Sequence, residues 1–287
     1  MGRDYNEEKG GIEMYSRAYV EITNICNMAC SFCHGHSRKS RKMTEDEFQR
    51  VLQQLRGKTE YVYYHLMGEP LTHPQLPVFL RMAAEKGFRS VLTTNGTLLQ
   101  KRGEEILSAG VHKVSISLHS FEKNDPAAQE SYIKECAEFA ALAGERGTLV
   151  SFRLWNRGVD GGNNEHTIRL LKEFLPGDWQ ENSRGYRIRD RVFLEYGNRF
   201  AWPDREAADM GSEVFCYGLK DHFGILCDGT VVPCCLDSDG VINLGNVFTQ
   251  ELGEILDSPR AKAMQKGFSC RKATEDLCRR CGYARRF

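Results

Sequence analysis

The chain has 287 residues, 41% hydrophobic and 27% charged, enough to bury one substantial core with a small unit appended and too apolar for a disordered polymer. Its 39 basic and 39 acidic residues cancel, so no global field favours a nucleic-acid polymer or an acidic membrane surface as partner. No run approaches the roughly 18 apolar residues of a membrane span, and Met1 to Glu8 is too polar for a secretory signal, so a cytoplasmic protein without membrane attachment is expected.

Three regions are expected: an N-terminal extension over 1–17, a core over 18–205 and a small C-terminal unit over 206–287. A strand over 18–23 is followed by the capping box Thr44-x-x-Glu47, which opens a helix whose apolar face is Phe48, Val51, Leu52 and Leu55. A strand over 60–67 precedes a helix from about 75 that stops at Gly87. Further strands over 90–94, 113–118, 149–155 and 191–196 alternate with helices over 103–109, 126–144 and 165–174. Six β-α repeats predict an α/β fold, a parallel sheet flanked by helices and two strands short of a closed eight-fold barrel: a curved, open, partial (β/α)6 barrel with its chemistry at the carboxyl ends of the strands. After Trp202 the pattern changes to strands over 222–227 and 230–234 around Asp228-Gly229, a type I′ hairpin signal, then helices over 251–256 and 259–266 and a cysteine-containing tail.

Eleven cysteines in a reducing compartment point to metal or redox chemistry rather than disulfides. Cys26-x3-Cys30-x2-Cys33 lies directly after the first strand, where such a sheet places its active site. Zinc sites usually take paired C-x2-C units or histidines. Three thiolates on a 4Fe-4S cluster would leave one iron open for a chelating ligand.

The stretch Ile22-Thr23-Asn24-Ile25-Cys26-Asn27-Met28-Ala29-Cys30-Ser31-Phe32-Cys33 resembles the signature of the radical S-adenosylmethionine (SAM) superfamily, including the aromatic residue before the third cysteine. The resemblance implies a cluster on Cys26, Cys30 and Cys33, with Phe32 near the SAM adenine. Met67-Gly68-Glu69-Pro70 is similar to the family's Gly-Gly-Glu motif, with Met67 in place of the first glycine; by that likeness Gly68 and Glu69 hold the methionine ammonium. Thr94-Asn95-Gly96 ends the third strand in family style, and the resemblance further implies Ser117 at the SAM ribose and Arg153 at its carboxylate.

Strand alternation extends the site without the family. If Glu69 faces the lumen, Met67 and His65 share that face. With Val114, Ile116 and Leu118 against the helices, Ser115, Ser117 and His119 point inward, as do Ser151, Arg153 and Trp155 on the next strand. His65 and His119 are catalytic candidates, and Glu21, Ser115, Trp155, Glu195, Asn198 and Trp202 are candidate substrate contacts. Arg184, Arg187, Arg189 and Arg191 form a basic run that reads as a solvated loop more readily than as an anion site.

A second constellation is Cys216, Cys234, Cys278 and Cys281. On spacing alone it fits a zinc knuckle as well as a cluster, with Cys235 and Cys227 as rival fourth ligands to Cys234. It resembles the auxiliary-cluster region of the twitch and SPASM subfamilies, with one block of cysteines fewer than full SPASM, which implies one auxiliary 4Fe-4S cluster. Cys136 reads as buried.

The implied activity is reductive cleavage of SAM, with an electron from a flavodoxin- or ferredoxin-type donor, followed by hydrogen abstraction. With the first strand near Ala18, no N-terminal peptide-recognition domain is expected, and a small polar substrate of the sugar, aminocyclitol or nucleoside kind fits best. Rival readings are a nucleoside lyase of the queuosine-salvage type, a twitch-type alcohol dehydrogenase, a peptide maturase and a non-catalytic electron carrier.

Overall fold

The computed structural model describes residues 14–121, 125–159, 161 and 163–286. Most of the expected extension over 1–17 therefore lies outside the described residues. The strands are β1 (Arg17–Val20), β2 (Tyr61–Tyr63), β3 (Arg89–Thr94), β4 (Lys113–Ser117), β5 (Leu149–Arg157), β6 (Gln180–Asn182), β7 (Gly185–Arg189), β8 (Val192–Asn198), β9 (His222–Ile225), β10 (Thr230–Val232) and β11 (Gly245–Asn246). They form one open sheet in the order β11-β10-β9-β1-β2-β3-β4-β5-β8-β7-β6. Its centre is the expected six parallel strands, β1, β2, β3, β4, β5 and β8.

Helices α1 (Glu45–Leu55), α2 (Leu76–Glu85), α3 (Leu99–Ser108), α4 (Pro126–Glu145) and α5 (Asn163–Phe174) connect these strands. The α1 start is the capping box read from the sequence: Glu47 N–H donates to the Thr44 hydroxyl and Thr44 N–H to the Glu47 carboxylate. Spacing then puts Phe48, Val51, Leu52 and Leu55 on one buried face, in one apolar core with Val20, Val62, Leu92, Val114, Ile116, Phe152 and Leu194 of the strands.

Four expectations change. First, β2 stops at Tyr63 instead of running to 67. Leu66 turns into a small apolar cluster with Tyr19, Leu226 and Val232, so strand alternation no longer governs the residues beyond Tyr63. Second, the arginine run is not a loop: Arg187 and Arg189 lie on β7, the middle strand of an antiparallel edge, and Arg187 and Arg191 pair with Asp190 at the surface. Third, the turn after β9 is not type I′. Gly229 alone has φ +86°, Gly229 N–H bonds to Leu226 O, and Leu226 N–H to Thr230 O, the pattern of a three-residue loop closed by a left-handed glycine. Fourth, the C-terminal hairpin does not stand apart, because β9 pairs in parallel with β1 and prolongs the barrel sheet at its first edge. Helices α6 (Leu252–Leu256), α7 (Pro259–Ser269) and α8 (Asp276–Arg279) complete the C-terminal unit. Among the described residues no helix is long and apolar enough to cross a membrane.

Candidate active site

The loop after β1 is a closed excursion whose limbs meet at its root. Met43 N–H donates to Ile22 O at 2.8 Å, Thr23 and Lys42 form an antiparallel bridge, and the Asn24 side chain donates to Lys39 O and accepts from Arg41 N–H. The loop spans the carboxyl ends of the next three strands. Glu69 N–H, beyond β2, donates to Ile25 O; Asn95 Nδ2, beyond β3, lies 3.9 Å from Cys26 Sγ; Cys30 Sγ lies 3.7 Å from Ser120 O, beyond β4. Cys26 and Cys33 are exposed, Cys30 is half-buried, and all three are free thiols.

The turn after β2 fits against this loop only because position 68 is glycine. Its φ is +75°, and a Cβ there would stand 2.4 Å from Thr23 O and 2.8 Å from the Asn24 carbonyl carbon. Glu69 is 2% exposed, and its carboxylate accepts from Leu71 N–H (3.0 Å), the Thr94 hydroxyl (2.8 Å) and Asn95 N–H (2.7 Å). Burial raises it to about 7, although those bonds pull the other way. Asn95 Nδ2 donates to Asn27 Oδ1, its Oδ1 accepts from Thr97, and the Tyr132 hydroxyl donates to Asn95 O. Asn27, Thr97 and Tyr132 are not singled out in the sequence; Asn27 and Tyr132 reach Asn95 across 68 and 37 residues, and Thr97 meets it locally. Cys136 is buried beneath Gly96, as expected.

Ser117 ends β4, and His119 lies in the 3-10 turn Leu118–Ser120 that follows, not on the strand. Its ring is 4.9 Å from Phe32, and its Nδ1 is 3.0 Å from Arg153 O. Phe32, His119, Trp155 and Asn156 line a cleft of about 390 Å³ that Gln129, Asn164, Thr167 and Arg199 make polar. Deeper in the lumen, Arg153 Nη1 reaches Thr93 Oγ1 at 3.4 Å, and its guanidinium lies 4.6 Å over the Trp155 ring. His65 sits edge-on to Tyr19, centroids 5.1 Å apart; burial, then Arg153 and Arg17, lowers it to about 3, so it is neutral. His65 Nδ1, Arg153 Nε and the Ser115 and Ser151 hydroxyls are buried without a protein partner. Ser115 and Ser151 are register partners on adjacent strands, and both are 0% exposed.

Three of the other substrate candidates stand elsewhere than expected. Glu21 is 0% exposed and its carboxylate is held by Arg38 and two backbone N–H groups, which commit it to a buried tie. Trp202 donates its indole N–H to Phe32 O at 3.0 Å and so anchors the cysteine loop. Asn198 lies exposed at the end of β8, opposite Arg157. Glu195 lies beside Arg153 in register, with Lys113 Nζ at 4.0 Å.

Beside the barrel, Cys216, Cys234, Cys278 and Cys281 share one neighbourhood. Burial raises the Cys234 thiol well above its ordinary range, and Cys235, Cys216 and Cys278 raise it further; Cys278 is raised by burial, then by Cys216 and Cys281. With their pKa values raised these groups are neutral thiols, and an all-thiol donor set is of the kind that suits iron–sulfur chemistry. Cys227 is drawn off to Arg38 and Glu21, and Cys235 meets Tyr19 at the lumen.

An open sheet with six parallel strands at its centre, a thiol-rich loop across their carboxyl ends and a second thiol group beside the first edge make up a frame suited to iron–sulfur chemistry. The chain belongs to the radical SAM superfamily: that family model matches residues 20–173, and an iron-sulfur cluster-binding domain model, SPASM, matches residues 216–282. It is 30% identical to the probable GTP 3′,8-cyclase of Methanococcus vannielii over 260 residues, 78% of this chain and 86% of that protein. To the GTP 3′,8-cyclase of Chlorobaculum tepidum it is also 30% identical, over 71% of this chain and 68% of that one. Similar solved structures include BtrN with AdoMet and 2-DOIA (TM-score 0.61, 19% identity, 94% and 93% of the two chains) and anSMEcpe with AdoMet (TM-score 0.61, 14% identity, 93% and 87%). The protein is thus a radical SAM enzyme that uses 4Fe-4S clusters and SAM.

Proposed function

We propose that this enzyme takes hydrogen from a small polar substrate of the sugar, aminocyclitol or nucleoside class, held in the lumen beneath SAM. The observation that carries the reading is the set of uncommitted polar atoms there, His65 Nδ1 and Arg153 Nε foremost, in a lumen also lined by Tyr19 and Tyr63. An apolar product channel would not leave such atoms unpaired. The names of the cyclase relatives, which act on GTP, and the BtrN complex with 2-DOIA support the same substrate range. Of the rival readings, a lyase and an alcohol dehydrogenase both remain within it.

In this reading Cys26, Cys30 and Cys33 would hold the cluster, whose chemistry would be one-electron reduction of bound SAM to give methionine and a hydrogen-abstracting 5′-deoxyadenosyl radical. Glu69 and the Gly68 backbone receive the SAM ammonium, Arg153 the carboxylate, Ser117 the ribose, and the Phe32–His119 cleft the adenine. His65, held neutral, faces the substrate together with Glu195, and water is excluded as the lumen fills. Cys216, Cys234, Cys278 and Cys281 hold the auxiliary cluster. A flavodoxin- or ferredoxin-type donor in a reduced cytoplasm supplies the electrons.

Anaerobic reconstitution tests this. About eight irons per chain, the content of two 4Fe-4S clusters, and 5′-deoxyadenosine formation that vanishes in a Cys26, Cys30, Cys33 triple-alanine variant are expected. Nucleosides, nucleotides and aminosugars are then screened for stimulation of that formation and for label transfer from deuterated substrate into 5′-deoxyadenosine. Full clusters with no SAM cleavage would instead identify an electron carrier, and stimulation by peptides alone would overturn the substrate class.

A further inference from the structure

β1 leads directly into Glu21, and this buried carboxylate gathers segments that are far apart in the chain. Its Oε2 accepts from Arg38 Nη2 at 2.7 Å and from Met67 N–H at 3.1 Å; its Oε1 accepts from Cys227 N–H at 3.2 Å. Arg38 also donates from Nε to Ser238 O at 2.7 Å, and its Nη1 lies 3.8 Å from Cys227 Sγ. Next to it, Asp239 Oδ1 accepts from Ser37 N–H at 2.7 Å and from the Ser37 hydroxyl at 3.0 Å.

The four segments so joined are those a coupling device would need. Glu21 stands at the root of the cysteine loop, and Ser37 and Arg38 on its exit limb. Met67 opens the turn that carries Gly68 and Glu69. Cys227 and Ser238 belong to the C-terminal unit, and the 236–242 segment leaves directly from Cys234 and Cys235. That segment is stiff: Asp237 is 2% exposed, and its carboxylate accepts from Val241 N–H and Ile242 N–H. Any rearrangement at Cys234 therefore reaches Ser238 and Asp239 with little slack. A buried ion pair adds little net stability compared with apolar packing, and its best attested use is to fix registry.

We infer that Glu21 and Arg38 are positioning residues through which the C-terminal cysteine unit sets the geometry of the SAM-binding loops. The inference goes beyond the proposed substrate class and rests on the proposed roles of Cys26, Cys30 and Cys33, of Gly68 and Glu69, and of the C-terminal cysteine unit. Arg38 is suited to the part because its planar fork serves Glu21 and Ser238 together; a lysine keeps the charge but cannot reach both.

The test uses reconstituted full chain with four forms: wild type, Arg38→Lys, Cys278→Ser with Cys281→Ser, and all three changes combined. SAM affinity is measured by equilibrium dialysis, and the electron paramagnetic resonance spectrum of dithionite-reduced protein is recorded with and without SAM. The expected result is that Arg38→Lys and the double cysteine variant each retain triad iron, lose at least about fivefold in SAM affinity, the lower range for coupling between sites, and show a weakened SAM-induced spectral change. The combined variant should lose no more than the weaker of the two, because both act through one connection. Losses that multiply, or an Arg38→Lys protein with a lowered urea midpoint but wild-type SAM affinity and spectrum, would overturn the inference. Iron retained in a Cys26, Cys30, Cys33 triple variant, with SAM binding intact, would instead strike the ligand assignment itself.

Discussion

The Thr94 hydroxyl donates to Glu69 Oε1 at 2.8 Å, so the acid that follows β2 is fixed by the last residue of β3. The contact closes the mouth of the barrel under the cysteine loop, since Glu69 N–H also bonds to Ile25 O.

Burial raises the Glu69 carboxyl from its ordinary 4.5 to about 7, so between those values the folded chain holds a proton that the unfolded chain has lost. The sign follows: this contribution is full below pH 4.5 and is lost as pH rises through about 7. Metal-free protein should lose up to about 3 kcal/mol of unfolding free energy between pH 5 and 8 from this group, and Glu69→Gln should remove that part of the slope. Urea titrations of both proteins across the range measure it; an unchanged slope in Glu69→Gln would show that the acid is ionised throughout.

Gly68→Ala should damage the SAM site selectively. The new Cβ meets backbone, not a yielding side chain, in a conformation that L residues rarely adopt. A tenfold or greater loss of SAM affinity is expected, equivalent to about 1.4 kcal/mol. Gly87→Ala, also at positive φ but with open space around it, is the control and should bind SAM normally. Equal behaviour of the two variants would refute the role given to the close approach.

Trp202→Phe keeps an aromatic ring beside His34 and Phe200 but removes the hydrogen bond to Phe32 O. Loss of one such bond costs about 1 kcal/mol. The cysteine loop should open more often, and a chelator should strip iron from the triad severalfold faster than from wild type.

Serine at Cys216 or Cys278 should lower iron by about four per chain, one cluster's worth, whereas Cys227→Ser and Cys270→Ser should leave it unchanged. Cys227 is engaged by Arg38, and Cys270 is exposed at the end of α7. Zinc in place of iron at the tail group, by metal analysis of protein purified without reconstitution, would refute the auxiliary cluster.

Much of this site was legible before any coordinates, and the reason differs from residue to residue. Cys26, Cys30 and Cys33 are close in the chain, so their spacing alone announces them. Thr44 and Glu47 cap α1 through bonds that span three residues. Alternation could be applied to Ser151 and Arg153 because β5 is regular as far as Leu154, and it could not be carried to Met67 because β2 ends four residues earlier. Glu21 and Trp202 had the right chemistry for substrate contacts, yet their partners, Arg38 and Phe32, lie 17 and 170 residues away.

The sequence by itself determined the six-stranded parallel core and the Cys26, Cys30 and Cys33 triad, which rest on local periodicity and short spacing, while the SAM-dependent class and the second thiol group came from the likeness of their motifs to a known family. Only the tertiary structure decided that β9 joins β1, that Cys227 leaves the thiol group for Arg38, and that Glu21 binds four segments together. Those choices depend on which distant groups can satisfy a buried charge or an unpaired strand edge, and pattern along one chain carries no record of such partners.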